Sequence, residues 1–166
     1  MDLEAIKKSL NLVPLPQEGG FYAETYRSSE RLAPPCLPGR YQGERSLATA
    51  IYFLLTPDSF SALHRLASDE IYHFCGGDPV QMLHLGESGN GRVVLLGTDW
   101  DRGMRPQVVV PRGTWQGSRL LPGGRFALLG ATVIPGFEFA DFEIGHRGPL
   151  LAAYPEFADL IRALTR

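Results

Sequence analysis

Two imidazoles and a carboxylate lie within ten residues of one another in one segment of the chain. The segment is FSALHRLASDEIYHFCGG, from Phe60 to Gly77, and the three residues are His64, Glu70 and His73. An imidazole and a carboxylate that point into one cavity can hold a metal ion, or can act as an acid–base pair with shifted pKa values. This segment therefore contains the first candidates for chemistry in the chain.

The segment is typical of two strands joined by a tight turn. Side chains alternate between the two faces of a strand, so Glu70, Tyr72 and Phe74 share one face of the second strand. If that face is interior, His64 and Glu70 become neighbours across a hairpin in an aromatic-lined pocket. We predict that His64, Glu70 and Tyr72 are catalytic and that Phe74 and His73 bind the ligand. Strict alternation turns His73 to the opposite face unless a bulge intervenes.

The surrounding pattern predicts an all-β protein with a short helix at each end. Apolar residues recur at helical spacing over Leu3–Val13 and Phe157–Leu164, and Asp2 can cap the first helix. Between the helices, short apolar or alternating segments are separated by glycine and proline turns, which indicates a sandwich or barrel. Arg31–Gly43 contains several breakers and is predicted to be an exposed loop. The predicted strands are Phe21–Arg27, Leu47–Leu55, Ser59–Leu66, Glu70–Cys75, Val80–Leu85, Arg92–Gly97, Gln107–Val110, Trp115–Leu120, Phe126–Val133 and Phe139–Ile144.

The central segment resembles the first signature motif of cupin barrels, G-x5-H-x-H-x(3,4)-E-x6-G. His64, Glu70 and Gly77 match the first histidine, the glutamate and the closing glycine. Leu66 stands at the position of the second histidine. The resemblance therefore implies a barrel in which one of the usual metal ligands is replaced by an apolar side chain.

A second segment, Pro111 to Gln116, resembles the other cupin motif, P-x-G-x2-H. Pro111 and Gly113 match, and Gln116 stands where the histidine is expected. Only two of the four usual metal ligands are thus present. We expect no cofactor and assign Gln116 to ligand binding; the alternative is a weak divalent metal site completed by Gln116 and water.

Five segments together resemble the uncharacterised cupin subfamily DUF985, also called Cupin_5. The resemblance implies a single cupin domain over residues 1–166, folded as a jelly-roll-like double-stranded β-helix barrel with an internal pocket, and a homodimer. Tyr22, on the first strand, is expected to contribute to the pocket; the alternative is that this strand adds to the sheet of a partner. The segments are EGGFYAETYRS, TAIYFLLTP, HRLASDEIYHFCGGDPV, VVPRGTWQGSRL and PGFEFADFEIG.

Composition excludes several classes of protein. The net charge of −2 and the lack of a basic stripe argue against a nucleic-acid partner. The longest apolar runs are too short to span a bilayer, and the N-terminus does not resemble a secretion signal, so we expect a cytoplasmic protein that does not bind a membrane. Cys36 and Cys75 are expected to be free thiols. The glycines do not form a nicotinamide or nucleotide-phosphate fingerprint.

Three functions remain open. The first is a metal-independent isomerase or epimerase acting on a sugar-like or keto-acid substrate, in which His64 removes a proton beside a carbonyl polarised by Glu70 and Tyr72 returns it. The second is a non-catalytic cupin that binds a small, sugar-like molecule. The third is a metal-dependent cupin enzyme with a degraded ligand set. Similarity to sugar-nucleotide epimerases concerns the fold alone, and a fold does not imply a function.

Overall fold

The computed structural model describes residues 2–166, apart from the side chain of Ser88. Met1, the first residue of the predicted domain, lies outside the described residues. The helices are α1 (Leu3–Ser9), α2 (Arg147–Ala153) and α3 (Ala158–Ala163). The strands are β1 (Val13–Pro14), β2 (Phe21–Arg27), β3 (Arg31–Leu32), β4 (Arg45–Ser46), β5 (Thr49–Leu55), β6 (Ser61–Leu66), β7 (Asp69–Gly77), β8 (Val80–Leu85), β9 (Gly91–Leu96), β10 (Gln107–Val110), β11 (Trp115–Leu120), β12 (Ala127–Ile134) and β13 (Phe142–Ile144).

Two antiparallel sheets form the barrel. The six-stranded sheet has the order β1-β2-β5-β12-β7-β10, and the five-stranded sheet has the order β13-β6-β11-β8-β9. A separate pair, β3 and β4, lies in the connection between β2 and β5. This arrangement confirms the predicted all-β, jelly-roll-like barrel with short terminal helices. Four strands, β2, β8, β10 and β11, have the bounds that the sequence predicts.

The core follows from alternation along each strand. On β8, Val80 and Met82 face the space between the sheets, where they join the main apolar cluster. Leu83 and Leu85 face the opposite side and pack with residues of α2 and α3. The C-terminal helices therefore cover the outer face of the five-stranded sheet. At the other end of the chain, Ile6 of α1 packs in a third cluster that covers part of the six-stranded sheet.

Several differences from the predicted elements lie near the ends of the chain and have local causes. The first helix ends at Ser9 because Asn11 has a φ of 53°, the left-handed conformation that terminates helices. Its predicted cap is confirmed, since Asp2 accepts a hydrogen bond from the Glu4 amide. Helix α2 was not predicted because its first turn contains glycine and proline, yet proline fits the first turn of a helix. Within Phe139–Ile144, only Phe142–Ile144 is a strand.

The predicted hairpin between His64 and Glu70 is wrong. β6 pairs with β11 and β13 in the five-stranded sheet, whereas β7 pairs with β12 and β10 in the six-stranded sheet. The chain therefore crosses from one sheet to the other between Leu66 and Asp69. Backbone bonds hold this crossover, since the Gly113 amide donates to the Leu66 carbonyl and the Ala67 amide donates to the Asp141 carbonyl. His64 and Glu70 thus approach each other from opposite walls of the barrel.

An ion pair holds the long β2–β5 connection against this crossover. The Arg45 guanidinium donates two hydrogen bonds of 2.6 Å to the Asp141 carboxylate. Tyr41 lies under the Arg45 side chain, and its hydroxyl hydrogen bonds to the Ala67 carbonyl and to Ser68. Part of the predicted exposed loop is therefore buried, because it covers the turn that positions His64 and Glu70.

The outer face of the six-stranded sheet carries exposed apolar side chains, including Tyr52, Val109 and Ile134. Such a face is consistent with a partner, and the homodimer stays a prediction. Cys36 and Cys75 are exposed and unpaired among the described residues. Within residues 2–166, no helix has the length and apolar character that crossing a membrane requires.

We expect Arg45→Ala to lower the free energy of unfolding by about 3 kcal/mol, because the substitution leaves the buried Asp141 carboxylate without its partner. Both side chains of this pair are only 5% exposed. The matched control is Arg31→Ala, which breaks the Arg31–Glu44 pair, with side chains 43% and 56% exposed, and should cost less than about 1 kcal/mol. Urea denaturation of the two variants measures both values; equal losses would contradict the assigned role of Arg45.

Candidate functional site

A cavity of about 120 Å³ lies between the two sheets. The side chains that line it come from β2, β5, β6, β7, β12 and β13 and from the segments before β2 and β13. The polar lining residues are Glu18, Tyr22, Glu24, Arg27, Thr49, His64, Glu70 and Glu138. The apolar lining residues are Leu15, Pro16, Ile51, Leu66, Ala131, Val133, Phe137, Phe139 and Phe142. The cavity therefore combines an apolar wall with several carboxylates and one imidazole.

His64 has a fixed orientation and a defined tautomer. Its ring is buried, stacks on Phe142 with a centroid distance of 5.1 Å, and places Nδ1 2.8 Å from the Ala62 carbonyl oxygen. A carbonyl oxygen can only accept, so Nδ1 carries the proton of the neutral ring and donates it to Ala62. The neutral imidazole therefore keeps the lone pair of Nε2 free, and this side chain lines the cavity. His64 can accept a proton there.

Glu18 lies beside the free nitrogen and was not predicted from the sequence. Its Oε2 lies 3.8 Å from Nε2 of His64, beyond hydrogen-bonding distance, and its Oε1 accepts a 2.7 Å bond from the Ser61 hydroxyl. The Ala62 amide also donates to the Glu18 carbonyl. These contacts fix both the backbone and the side chain of Glu18, so that its carboxylate can stabilise positive charge on His64.

A β-bulge in β6 makes this arrangement possible. Gln116 and Ser118 of β11, two residues apart, pair with His64 and Ser61, which are three residues apart. The extra residue turns Ser61 to the same face as His64, where its hydroxyl reaches Glu18. Gly19, which follows Glu18, has a φ of 100°, and a Cβ atom there would lie 2.5 Å from the Phe60 carbonyl oxygen. The Glu18-Gly19-Gly20 sequence before a strand is thus the signal that could have identified Glu18.

Glu70 is the carboxyl group on the opposite wall. It is only 5% exposed, and its Oε2 accepts a 2.6 Å hydrogen bond from the side-chain amide of Gln116. The pKa of Glu70 is raised to about 7, with burial as the largest cause; His64, Gln116 and Tyr72 act to lower this pKa, and Glu18 acts to raise it. A substantial fraction of Glu70 is therefore protonated at neutral pH, and this carboxyl group can donate a proton.

Gln116 joins the two walls behind the cavity. It lies directly opposite His64 in the five-stranded sheet and donates across the barrel to Glu70 in the six-stranded sheet. It does not line the cavity, and its Oε1 has no partner among the described residues. Gln116 thus positions Glu70, and its predicted ligand-binding role stays a prediction.

Tyr72 lies behind Glu70 rather than in the cavity wall. It is 2% exposed and belongs to the main apolar cluster. Burial and the neighbouring Glu70 raise the pKa of Tyr72 well above its usual value, so the phenol is neutral and serves as a hydrogen-bond donor. Its predicted catalytic role stays a prediction, but a direct contact between Tyr72 and a ligand in this cavity is not supported.

The other predicted residues divide between the cavity and its surroundings. Tyr22 lines the cavity, as predicted. Phe74 shares a face with Glu70 but lies four residues further along β7, where it packs against the apolar core. His73 faces away, and its Nδ1 lies 3.3 Å from the side-chain amide of Gln107. The irregularity in the pairing of β7 with β12 comes after His73, so it does not turn this side chain inward.

Arg27 spans the entrance of the cavity. Its guanidinium donates two hydrogen bonds to Glu24, one of 3.0 Å to Glu138, and one to the Phe137 carbonyl. The hydrogen bond to Glu24 is the largest cause that raises the pKa of Arg27, so the guanidinium stays charged. The ion pairs of Arg27 with Glu24 and Glu138 therefore cover one side of the cavity.

Solved structures of the same fold include a metal enzyme. Oxalate decarboxylase of Bacillus subtilis matches with a TM-score of 0.54 at 14% sequence identity, over 93% of this chain and 37% of that chain. That protein is described as having Mn(II) centres. At this identity the match supports the fold alone, and a metal site has to be judged from the side chains present.

The side chains at the cupin ligand positions do not form a metal site. Leu66 presents carbon atoms to the cavity, and Gln116 directs an amide N–H, not an oxygen, at Glu70. Residues 2–166 contain no group of three or more His, Cys, Asp and Glu side chains placed to hold a metal ion. The donors therefore do not fit the three or four nitrogen and oxygen ligands that transition metals require.

Closer relatives identify the family. A protein of Shewanella oneidensis, SO0799, has a crystal structure that matches with a TM-score of 0.88 and 36% identity, over 100% of this chain and 98% of that chain. The uncharacterised protein YML079W of Saccharomyces cerevisiae is 33% identical over 133 residues, which cover 75% of this chain and 66% of the yeast protein. The family described as "Cupin superfamily (DUF985)" matches residues 4–145. The chain is a member of this family.

Proposed function

We propose that this protein is a metal-independent isomerase or epimerase that moves a proton beside a carbonyl group. The observation that carries the proposal is the orientation of His64, whose Nδ1 proton is committed to the Ala62 carbonyl while its Nε2 stays free beside the cavity. A base with this orientation faces the buried Glu70 carboxyl group from the opposite sheet. The pair supplies a proton acceptor and a proton donor on two walls of one cavity.

The reaction follows from these two groups. Nε2 of His64 removes the proton from the carbon beside the carbonyl, while protonated Glu70 gives its proton to the carbonyl oxygen. The product of this step is an enol or enediol, and the imidazolium is stabilised by the Glu18 carboxylate. The imidazolium then returns its proton to the former carbonyl carbon while the Glu70 carboxylate takes a proton from the hydroxyl group of the neighbouring carbon, which gives an isomer. Return of a proton to the opposite face of the original carbon, with the Glu70 carboxylate taking back the enol proton, gives an epimer. Gln116 donates a hydrogen bond to Glu70 from behind and holds it in place.

A non-catalytic binding protein is the second candidate. The apolar half of the cavity, with Ile51, Leu66 and Phe142, would cover the carbon skeleton of a ligand, and the carboxylates would orient its hydroxyl groups. Binding without proton exchange separates this candidate from the first.

We expect the wild-type protein to catalyse exchange of the proton beside the carbonyl of a small sugar or hydroxyketone with solvent deuterium. The exchange rate should be at least about 100-fold lower in the His64→Gln variant, because glutamine has no basic nitrogen. The matched control is His73→Gln, which lies outside the cavity and should exchange at the wild-type rate. Proton NMR in D2O follows the exchange over a panel of aldoses, ketoses and hydroxyketones. Equal rates in the two variants, or no exchange with any member, would refute the proposal.

The raised pKa of Glu70 predicts how stability depends on pH. The carboxyl group has a pKa of about 7 in the folded protein and an ordinary value of 4.5, so the folded state binds the proton more tightly. Stability therefore falls as the pH rises from about 4.5 to about 7, by at most about 3 kcal/mol. Glu70→Gln should remove most of this fall, whereas Glu143→Gln, which changes an exposed carboxylate, should keep it. Urea denaturation at several pH values measures the slopes; parallel curves for wild type and Glu70→Gln would contradict the assignment.

The donor set predicts little bound metal. We expect elemental analysis to find clearly less than one iron, manganese, nickel or zinc ion per chain, even after growth with added metals, because Leu66 and Gln116 remove two of the usual ligands. A stoichiometric metal that is lost in His64→Ala but kept in His73→Ala would overturn this expectation. It would also support the metal-dependent alternative.

A further inference from the structure

We propose that the cavity takes a small, hydroxyl-rich or amino-bearing ligand with no negative charge, and that it excludes phosphate esters, carboxylates and nucleotides. This inference names the substrate class of the proposed isomerase site and rests on that site. It is carried by the charges and hydrogen bonds of the lining residues.

Carboxylates dominate the polar lining. Four acidic residues, Glu18, Glu24, Glu70 and Glu138, face one arginine and one histidine. Two of them, Glu18 and Glu70, lie at the inner end, where they approach His64 from two sides. A phosphate or carboxylate in the cavity would meet like charges in a partly desolvated space, which is strongly unfavourable.

The one arginine of the lining is mostly engaged within the protein, because its four hydrogen bonds use most of its five N–H donors. The Arg27 guanidinium uses Nε and one terminal nitrogen on the two oxygens of Glu24, and its other terminal nitrogen on Glu138, at 2.8 to 3.0 Å. The nitrogen that contacts Glu24 also donates to the Phe137 carbonyl. Recognition of an anion needs free N–H donors on such a group, and an incoming phosphate would have to break these bonds.

The groups that remain free are mostly acceptors. Within residues 2–166, Oε2 of Glu18 makes no hydrogen bond, and it lies 3.8 Å from Nε2 of His64, which is also an acceptor when the ring is neutral. An ammonium group of a ligand can donate to both atoms because it has three N–H donors, a hydroxyl group can donate to one of them, and an anionic oxygen can donate to neither.

The size of the cavity points in the same direction. A volume of about 120 Å³ is well below the roughly 300 to 1,000 Å³ of sites that enclose drug-sized ligands. A compound of a few carbon atoms fits inside. A nucleotide sugar would leave its nucleotide outside the Arg27–Glu138 pair, where no part of this cavity contacts it.

A matched set of three-carbon compounds tests the ligand class. The set is glycerol, 3-amino-1,2-propanediol, glycerate and glycerol 3-phosphate, which share a skeleton and differ in charge. We expect the first two to bind at least about tenfold more tightly than the two anions at pH 7 and fixed ionic strength, measured by NMR titration of the histidine signals. Stronger binding of either anion, or no binding of the neutral and cationic compounds at high millimolar concentration, would overturn the proposal.

Two variants test which lining charges cause the preference for uncharged and cationic ligands. Glu18→Gln should reduce the preference for the amine over glycerate, and Glu143→Gln, an exposed control, should leave it unchanged. Glu138→Gln removes one negative charge beside Arg27 and should raise the affinity for glycerol 3-phosphate several-fold. An unchanged preference in both Glu18→Gln and Glu138→Gln would show that the lining charges do not select the ligand. Binding without deuterium exchange would retain this inference while refuting the proposed isomerase.

Discussion

The hydrogen bond between Gln116 and Glu70 is the interaction on which the site depends. It joins the two sheets of the barrel at the point where a carboxyl group is almost fully buried. A buried carboxyl group is tolerated only when it is hydrogen bonded or neutral, and here both conditions are met in part. The amide of Gln116 satisfies one oxygen, and burial raises the pKa of Glu70 to about 7. The free-energy cost of burying the charged carboxylate raises its pKa, and the raised pKa gives Glu70 a proton to donate at neutral pH.

The opposite wall depends on backbone geometry rather than on burial alone. The bulge in β6 turns Ser61 inward, the Ser61 hydroxyl and the Ala62 amide hold Glu18, and the Ala62 carbonyl sets the tautomer of His64. One irregularity thus positions a base and the carboxylate beside it. A regular strand would direct the Ser61 side chain away from Glu18 and leave this carboxylate without its hydroxyl donor.

The fold, and the face of the strand on which each side chain lies, were predicted better from the sequence than the position of each side chain along the barrel axis. Alternation correctly placed Glu70, Tyr72 and Phe74 on one face, but only Glu70 reaches the cavity, because alternation carries no information on position along the barrel axis. The motif spacing brought His64 and Glu70 together, although through strands of different sheets. Glu18 lay outside both motifs, and its role depends on a bulge and on tertiary contacts that one sequence does not reveal.

The charges of the site link its selectivity to its chemistry. Burial is the main cause of the raised pKa of Glu70, and Glu18 adds to it and also lies beside His64, so the same carboxylate favours the protonated acid and supports the imidazolium. An uncharged ligand does not change the charge of Glu18 or the protonation of Glu70. A cationic ligand near Glu18 and Glu70 favours their charged forms and so removes the proton that Glu70 would donate. The site should therefore bind amines as inhibitors and convert uncharged hydroxyl compounds. Tight binding of an amine favours the ionised form of Glu70, whereas proton donation requires its protonated form.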